Sequence, residues 1–420
     1  MDRDRIGEYD ALILVSLIWF LGKFVRYLFP PLFESIQGAY GVSNATVGTA
    51  FTGFMLVYAL LQFPSGAVAD RLGPVRVIVA GALVAGAGSL AVVFDAPFAA
   101  LVAAMLVVGA GTGVHKTVSV RLIARVYPAR TGRMLGAHDT LGAMGGVAAP
   151  AVVVAVLSAP PALAAVLASL PGADWRAPFL LTGVLAVGLA VATAVRLSGS
   201  PAATGGTDAD GDDSPGAREY FRLFRKPRFT AFVLVTVGFS FAHNGLVAFL
   251  PLYLSEAAEL PTSTANLLYS LVFAVTFVQL VTGDLSDRVG RFPVMVATLG
   301  LAAVALVALV SLPGLGGGAV AAAVVVAAFG LGSHGFQPVR SAYLMELLPE
   351  RLAGGGLGVV RTLLMGAGAL APSAVGVVAD AVGFRPAFAL LAGSMGLAAV
   401  VAAGLWVTER SARGGSSPST

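Results

Sequence analysis

The sequence predicts an all-α integral membrane protein, with twelve transmembrane helices in two pseudo-symmetric six-helix bundles. Three observations carry that expectation. First, the 420 residues are 57% hydrophobic and only 11% charged, with a mean hydropathy of +0.87, whereas a soluble domain is about a quarter charged. That composition excludes a soluble enzyme. Second, apolar runs near the ~20 residues that a helix needs to cross a bilayer recur twelve times. Third, two sets of six such runs carry the same landmarks in the same order.

The first set covers residues 11–33, 44–66, 75–94, 97–120, 134–157 and 177–196, numbered here as spans 1 to 6. Span 1 closes on Pro30-Pro31, and span 2 opens behind Ser43, whose hydroxyl suits a helix N-cap. That capping position is also the better reading of Asn44-Ala45-Thr46, which formally matches a glycosylation acceptor. Spans 7 to 12 follow at 229–253, 264–284, 293–312, 316–339, 354–379 and 386–407. The start of the chain carries charges of both signs and no small-residue cleavage site follows span 1, so span 1 is expected to stay in the protein. The expected division is a bundle at 1–197, a cytoplasmic linker at 198–228, a second bundle at 229–410 and a disordered tail at 411–420. In the linker, Asp208, Asp210, Asp212 and Glu219 have the spacing of a calcium loop, but Asp213 replaces the required glycine and Pro215 follows, so a solvated linker is expected.

The repeat is specific. Gly66-x-x-x-Asp70-Arg71-x-Gly73, between spans 2 and 3, recurs as Gly283-x-x-x-Asp287-Arg288-x-Gly290 between spans 8 and 9, 217 residues later. Pro31 and Pro251, Ser43 and Ser263, Gly109/Gly111 and Gly330/Gly332, and Pro128 and Pro349 recur at nearly the same shift. Leu135-Gly136-x-x-x-Thr140-Leu141 through Gly146 to Pro150 matches Leu357-Gly358-x-x-x-Thr362-Leu363 through Gly368 to Pro372. Such internal duplication is the mark of many transport folds. Basic residues set the expected topology: the loops joining odd to even spans hold only Arg176 and Arg385, and the other side holds nearly all the rest. Both termini are therefore expected in the cytoplasm.

The doubled Gly-x-x-x-Asp-Arg-x-Gly loops, in twelve spans with a central linker, resemble the major facilitator superfamily over about residues 10–408. The resemblance implies that Gly66, Asp70, Arg71 and Gly73, with Gly283, Asp287, Arg288 and Gly290, are gating loops that support rocking between inward-open and outward-open states. The first copy departs from the pattern with Pro74 where a basic residue is usual, a role that Arg76 could take over, while the second copy keeps Arg291. The resemblance also implies that spans 1, 4, 7 and 10 line a central cavity, with spans 2, 5, 8 and 11 contributing.

Ionisable groups inside spans are costly and are functional candidates by default. Here they are Lys23 and Arg26 in span 1, Lys116 in span 4, Asp139 in span 5 and Arg361 in span 11, an excess of three positive charges. That excess points to an anionic substrate. Arg26 and Arg361 are expected as the principal clamps, because a guanidinium offers a bidentate fork. Lys116 is placed to neutralise Asp139, which reads equally as a permanent interspan salt bridge. His243, the repeat equivalent of Lys23, joins Lys23, Lys116, Asn244 and Gln337 as a substrate-binding candidate. Asp139, His115, His138 and His334 are the proton-coupling candidates, each histidine also reading as a neutral interhelical hydrogen-bonder. Arg121 and Arg340 read as anchors at helix ends.

Span 1 with Pro30-Pro31-Leu32, and Tyr58-x-x-x-Gln62-x-Pro64-x-Gly66, resemble the organic-anion and organophosphate branches. Gly142-x-x-Gly145-Gly146-x-x-x-Pro150 resembles the drug:proton antiporter motif, with Ala149 where that motif has glycine, and also suits close helix packing. No cysteine is present, and no hydrolase, zinc-protease or phosphate-loop motif. The Gly109 to Gly113 run lies inside an apolar span rather than after a strand, so it is not a dinucleotide site. No basic stripe with interleaved aromatics suggests nucleic acid. The expectation is a secondary transporter of a small organic or inorganic anion, with protons as coupling ion. It needs no cofactor and no metal, and sits as a monomer in the lipid bilayer of the cell membrane. The alternatives are a drug/proton antiporter and a non-transporting sensor or scaffold.

Overall fold

The structure is a computed structural model. It describes residues 7, 9–172, 174–197, 223–316, 318–347 and 353–414, at 63, 315, 353–361 and 412–414 by backbone alone. Among these residues, twelve helical segments are long and apolar enough to cross a membrane. Spans 1 to 6 are Asp10–Tyr40, Asn44–Gln62, Pro74–Val92, Phe98–Val126, Pro128–Leu157 and Ala177–Leu197. Spans 7 to 12 are Pro227–Ala257, Thr262–Val289, Arg291–Gly314, Ala319–Leu347, Thr362–Val382 and Phe384–Ser411. The chain divides into two compact units, with the boundary between Ala209 and Asp210. That boundary falls in the segment expected as linker, most of which, with its calcium-like spacing, lies outside the described residues. The helix of span 12 runs on to Gly414, into the expected tail.

Several helices run past the apolar runs that foretell them: that of span 10 extends past 339 to Leu347, and that of span 2 to Leu72. Helical hydrogen bonding continues into these more polar ends, because charged side chains on a helix end reach water while the backbone stays paired. Prolines shape the ends of the repeat-equivalent first helices. Pro30–Leu32 forms a 3₁₀ turn in span 1, and a π-helical turn, Tyr253–Ala257, follows Pro251 in span 7. A short helix not foreseen from the sequence, Pro161–Ala168, lies between spans 5 and 6.

Glycines decide how closely the helices of unit 1 approach. A Cβ on Gly111 of span 4 would sit 2.3 Å from the Ala85 backbone nitrogen and 2.6 Å from the Gly81 oxygen of span 3. Its neighbours Gly109 and Gly113 turn the other way, onto the Phe54 and Tyr58 carbonyl oxygens of span 2. The Gly-x-Gly-x-Gly run is therefore a packing device, and the helix breaks just after it, at Val114, before resuming at His115. Unit 2 repeats the device with Gly332 against Thr298 and Ala302.

One end of unit 1 is tied by Arg176, one of the two exceptions to the charge bias. It is buried, 8% exposed. Its guanidinium binds Asp174, reaches Asp95 at 3.0 Å and the Tyr40 hydroxyl at 3.4 Å, and lies 4.6 Å from the centre of the Trp175 ring. One side chain thereby joins all three loops at that end. Burial is the largest influence on this guanidinium and opposes its charge, but the Tyr40 hydroxyl and the carboxylates of Asp174 and Asp95 outweigh it and raise its pKa.

Candidate functional site

In unit 1 the site grows from one face of span 1. Ser16, Trp19, Lys23 and Arg26 recur every three or four residues and so share a helix face. Span 5 meets that face with His138, Gly142 and Gly145, again a helical spacing. Gly142 is the reason the two helices fit: a Cβ there would stand 2.2 Å from Cδ1 and Nε1 of Trp19. Gly145 likewise faces the Phe20 carbonyl oxygen. The glycines of the antiporter-like motif thus serve close packing.

Trp19 is the hub, and sequence reasoning missed it. The Lys23 ammonium lies 5.4 Å from the centre of its ring and the Lys116 ammonium 5.3 Å. The His138 ring stacks on the indole at 6.0 Å, with Nδ1 3.1 Å from the Ser16 hydroxyl. An aromatic face attracts cations, by about 0.5–2 kcal/mol per contact as solvent is excluded. Lys116 also forms an ion pair with Asp139. Lys23 has no carboxylate within ion-pairing distance among the described residues. Arg26 packs against Tyr27 and Tyr58, its guanidinium carbon 5.5 and 5.1 Å from their ring centres. His115 points elsewhere: it is 1% exposed, with Nε2 3.2 Å from the Ile78 carbonyl oxygen inside the bundle.

Unit 2 builds the same layout from different side chains. At the repeat position of Trp19 stands Phe239, and at that of Lys23 stands His243, whose ring stacks on Phe239 at 5.6 Å and on Phe329 at 6.1 Å. His334 meets His243 edge-on at 5.9 Å. Its Nδ1 faces the Nε2 amides of Gln337 and Gln279 at 3.1 and 3.4 Å. Asn244 spends its amide on Ser240, and the Ser240 hydroxyl donates to the Leu364 carbonyl oxygen at 2.7 Å. Arg340, expected as an end anchor, lies 5.9 Å from the centre of the Phe239 ring. The side chain of Arg361 lies outside the described residues. Where unit 1 sets the ammonium groups of Lys23 and Lys116 against Trp19, unit 2 sets the His243 imidazole and the Arg340 guanidinium against Phe239.

The repeated loops match in backbone. Gly73 and Gly290 adopt φ of 87° and 96°, a region that requires glycine. Their ion pairs differ. Asp287 binds Arg291, which also bonds Glu346 at 2.9 Å, and Arg288 bonds Asp284. In the first copy, with Pro74 in place of a basic residue, Asp70 is bound by both Nη1 contacts of Arg121, at 3.1 and 3.2 Å, and not by Arg76. Gly66 leaves room for that guanidinium, 3.3 Å from where its Cβ would be. Arg71 stays exposed.

The sequence profile of the Major Facilitator Superfamily matches residues 15–372. The chain belongs to this superfamily. Among curated superfamily relatives, a probable sulfoacetate transporter of Cupriavidus necator is 25% identical over 290 residues, 66% of this chain and 64% of that protein. Multidrug resistance protein MdtG of Enterobacter lignolyticus is 32% identical over 157 residues, 36% of each. The chain therefore spans less than two thirds of the length of either relative. The superfamily fold also appears in full in a solved structure. A bacterial homologue of the human lysosomal transporter Spinster, inward-facing and unoccupied, matches with a TM-score of 0.78 and 19% identity, covering 98% of both chains. The protein is a multi-pass membrane member of the superfamily, with helices where the repeat predicts them.

Proposed function

We propose that the chain is a secondary transporter that moves a small organic anion by alternating access, with protons as coupling ion. The observation that carries this reading is Lys23, an ammonium within a span, held on the Trp19 face with no carboxylate at ion-pairing distance among the described residues. A lysine at a helix centre costs about 2.5–3.5 kcal/mol, and a bound anion offsets that cost. Lys116 and Asp139 then form the switchable pair beside it, and His138, Asp139 and His334 carry the proton. The repeated loops gate the cycle, and both termini face the cytoplasm. The sulfoacetate assigned to the C. necator relative makes a two-carbon sulfonate-carboxylate the first substrate to try.

The test is uptake of radiolabelled sulfoacetate and of simple mono- and dicarboxylates into proteoliposomes under an imposed pH gradient. Lys23→Met is expected to abolish anion binding while raising thermal stability by about 1–3 kcal/mol, since it deletes an uncompensated charge. Uptake of an anion that survives this substitution overturns the assignment of Lys23. The similarity to MdtG favours a second reading, export of hydrophobic compounds; transport of cationic drugs lost with Asp139→Asn, and no anion flux, would establish it instead.

A further inference from the structure

We propose that the short helix Pro161–Ala168, between spans 5 and 6, is seated in lipid, its side chains packed against acyl chains of the leaflet at the Arg176 end of unit 1. From Ser158 to Gly172 the chain carries no charged residue. Seven of the eight helix residues are exposed and the eighth, Leu167, is half-buried. Leu163 is 42% exposed, Val166 58%, and Leu170 just beyond the helix 42%. The helix is apolar all round, which is not the one-sided pattern of a helix made to lie in a protein groove.

The backbone is prepared for the same environment. In hydrocarbon an unpaired N–H or C=O costs several kcal/mol, so a helix end that leaves fewer such groups unpaired lies more easily at a leaflet. Pro160 and Pro161 lack two of the N–H groups that a helix start leaves unpaired. The Pro160 carbonyl oxygen accepts from the Ala164 N–H at 2.9 Å. At the other end the Ser169 hydroxyl and N–H both donate to the Val166 carbonyl oxygen, at 2.7 and 3.1 Å, and the Leu170 N–H bonds Leu167.

The spans that it joins also leave apolar side chains open. Leu157 at the end of span 5, and Leu181 and Val184 in span 6, are 43%, 47% and 59% exposed, as lipid-facing side chains are. A second copy of the chain is the poorer occupant. A helix of eight residues is about 12 Å long and falls well short of the ~1,200 Å² that a stable interface buries.

The chain has no cysteine, so each introduced thiol is read without background. Val166→Cys and Leu170→Cys, reconstituted in liposomes, are compared with Ser263→Cys, an exposed position at the start of span 8. A charged maleimide applied to both membrane faces is expected to label the two test thiols about tenfold or more slower than the reference. Spin labels there are expected to be relaxed by oxygen more than by a water-soluble nickel complex. All three thiols react equally in SDS. Labelling at the reference rate with nickel-dominated relaxation overturns the proposal, and a disulfide-linked dimer through Val166→Cys at low protein density replaces lipid with a second copy.

Discussion

Replacing Gly142 with alanine should disturb the unit 1 site without touching a charged group. The new Cβ would stand 2.2 Å from Cδ1 and Nε1 of Trp19, whereas ordinary contact begins near 3.5 Å. The indole must therefore retreat by about 1.3 Å, or spans 1 and 5 must part by a similar amount. Trp19 is only 5% exposed and is stacked against His138, so neither movement is free. Overpacking of this kind costs about 1–3 kcal/mol. Alanine returns up to ~1 kcal/mol over glycine within a helix. The expected net loss is of order 1 kcal/mol, read as a lower unfolding temperature of the purified protein. Gly136→Ala supplies the control: it lies on the same helix with nothing within 4 Å of its Cβ, and should be neutral or stabilising. Because the indole carries both ammonium groups, Gly142→Ala should also weaken anion binding by about tenfold. Gly142→Ala/Trp19→Leu should recover stability but not binding. If Gly142→Ala melts and binds like Gly136→Ala, the contact with Trp19 does not set the site.

Gly111→Ala should be worse, since its Cβ meets the backbone of span 3 on two sides; membrane-extracted yield and thermal stability should both fall by more than for Gly142→Ala. Arg121→Ala breaks the pair with Asp70, but both side chains are about half exposed, so the stability loss should stay within ~1 kcal/mol. Transport should nonetheless fall while Arg76→Ala leaves it unchanged, and the reverse order would return the role to Arg76. Arg176→Lys keeps the charge but loses the fork that reaches Asp174, Asp95 and Tyr40 together, so it should lower stability by about 1–2 kcal/mol, measured by thermal unfolding. Anion uptake that is flat between about pH 5.5 and 8 would remove protons as the coupling ion.

The number of spans, the duplication and the family were legible in the sequence because they rest on sums along the chain. Apolar length, the spacing of Gly66, Asp70 and Gly73 against Gly283, Asp287 and Gly290, and the bias of basic residues need no knowledge of which way a helix is turned. Partner choice does need it. Asp70 lies six residues from Arg76 and fifty-one from Arg121, yet the rotation of span 4 over Gly66 gives the carboxylate to Arg121. His115 and Lys116 are neighbours, but one ring turns inward to Ile78 while the other side chain reaches Trp19 and Asp139. Arg176 looks like a stray loop charge until the fold brings three loops around it. Trp19 has no motif of its own. It becomes the centre of the site only because Gly142 lets span 5 close on it, a contact between residues 123 apart that packing alone could select.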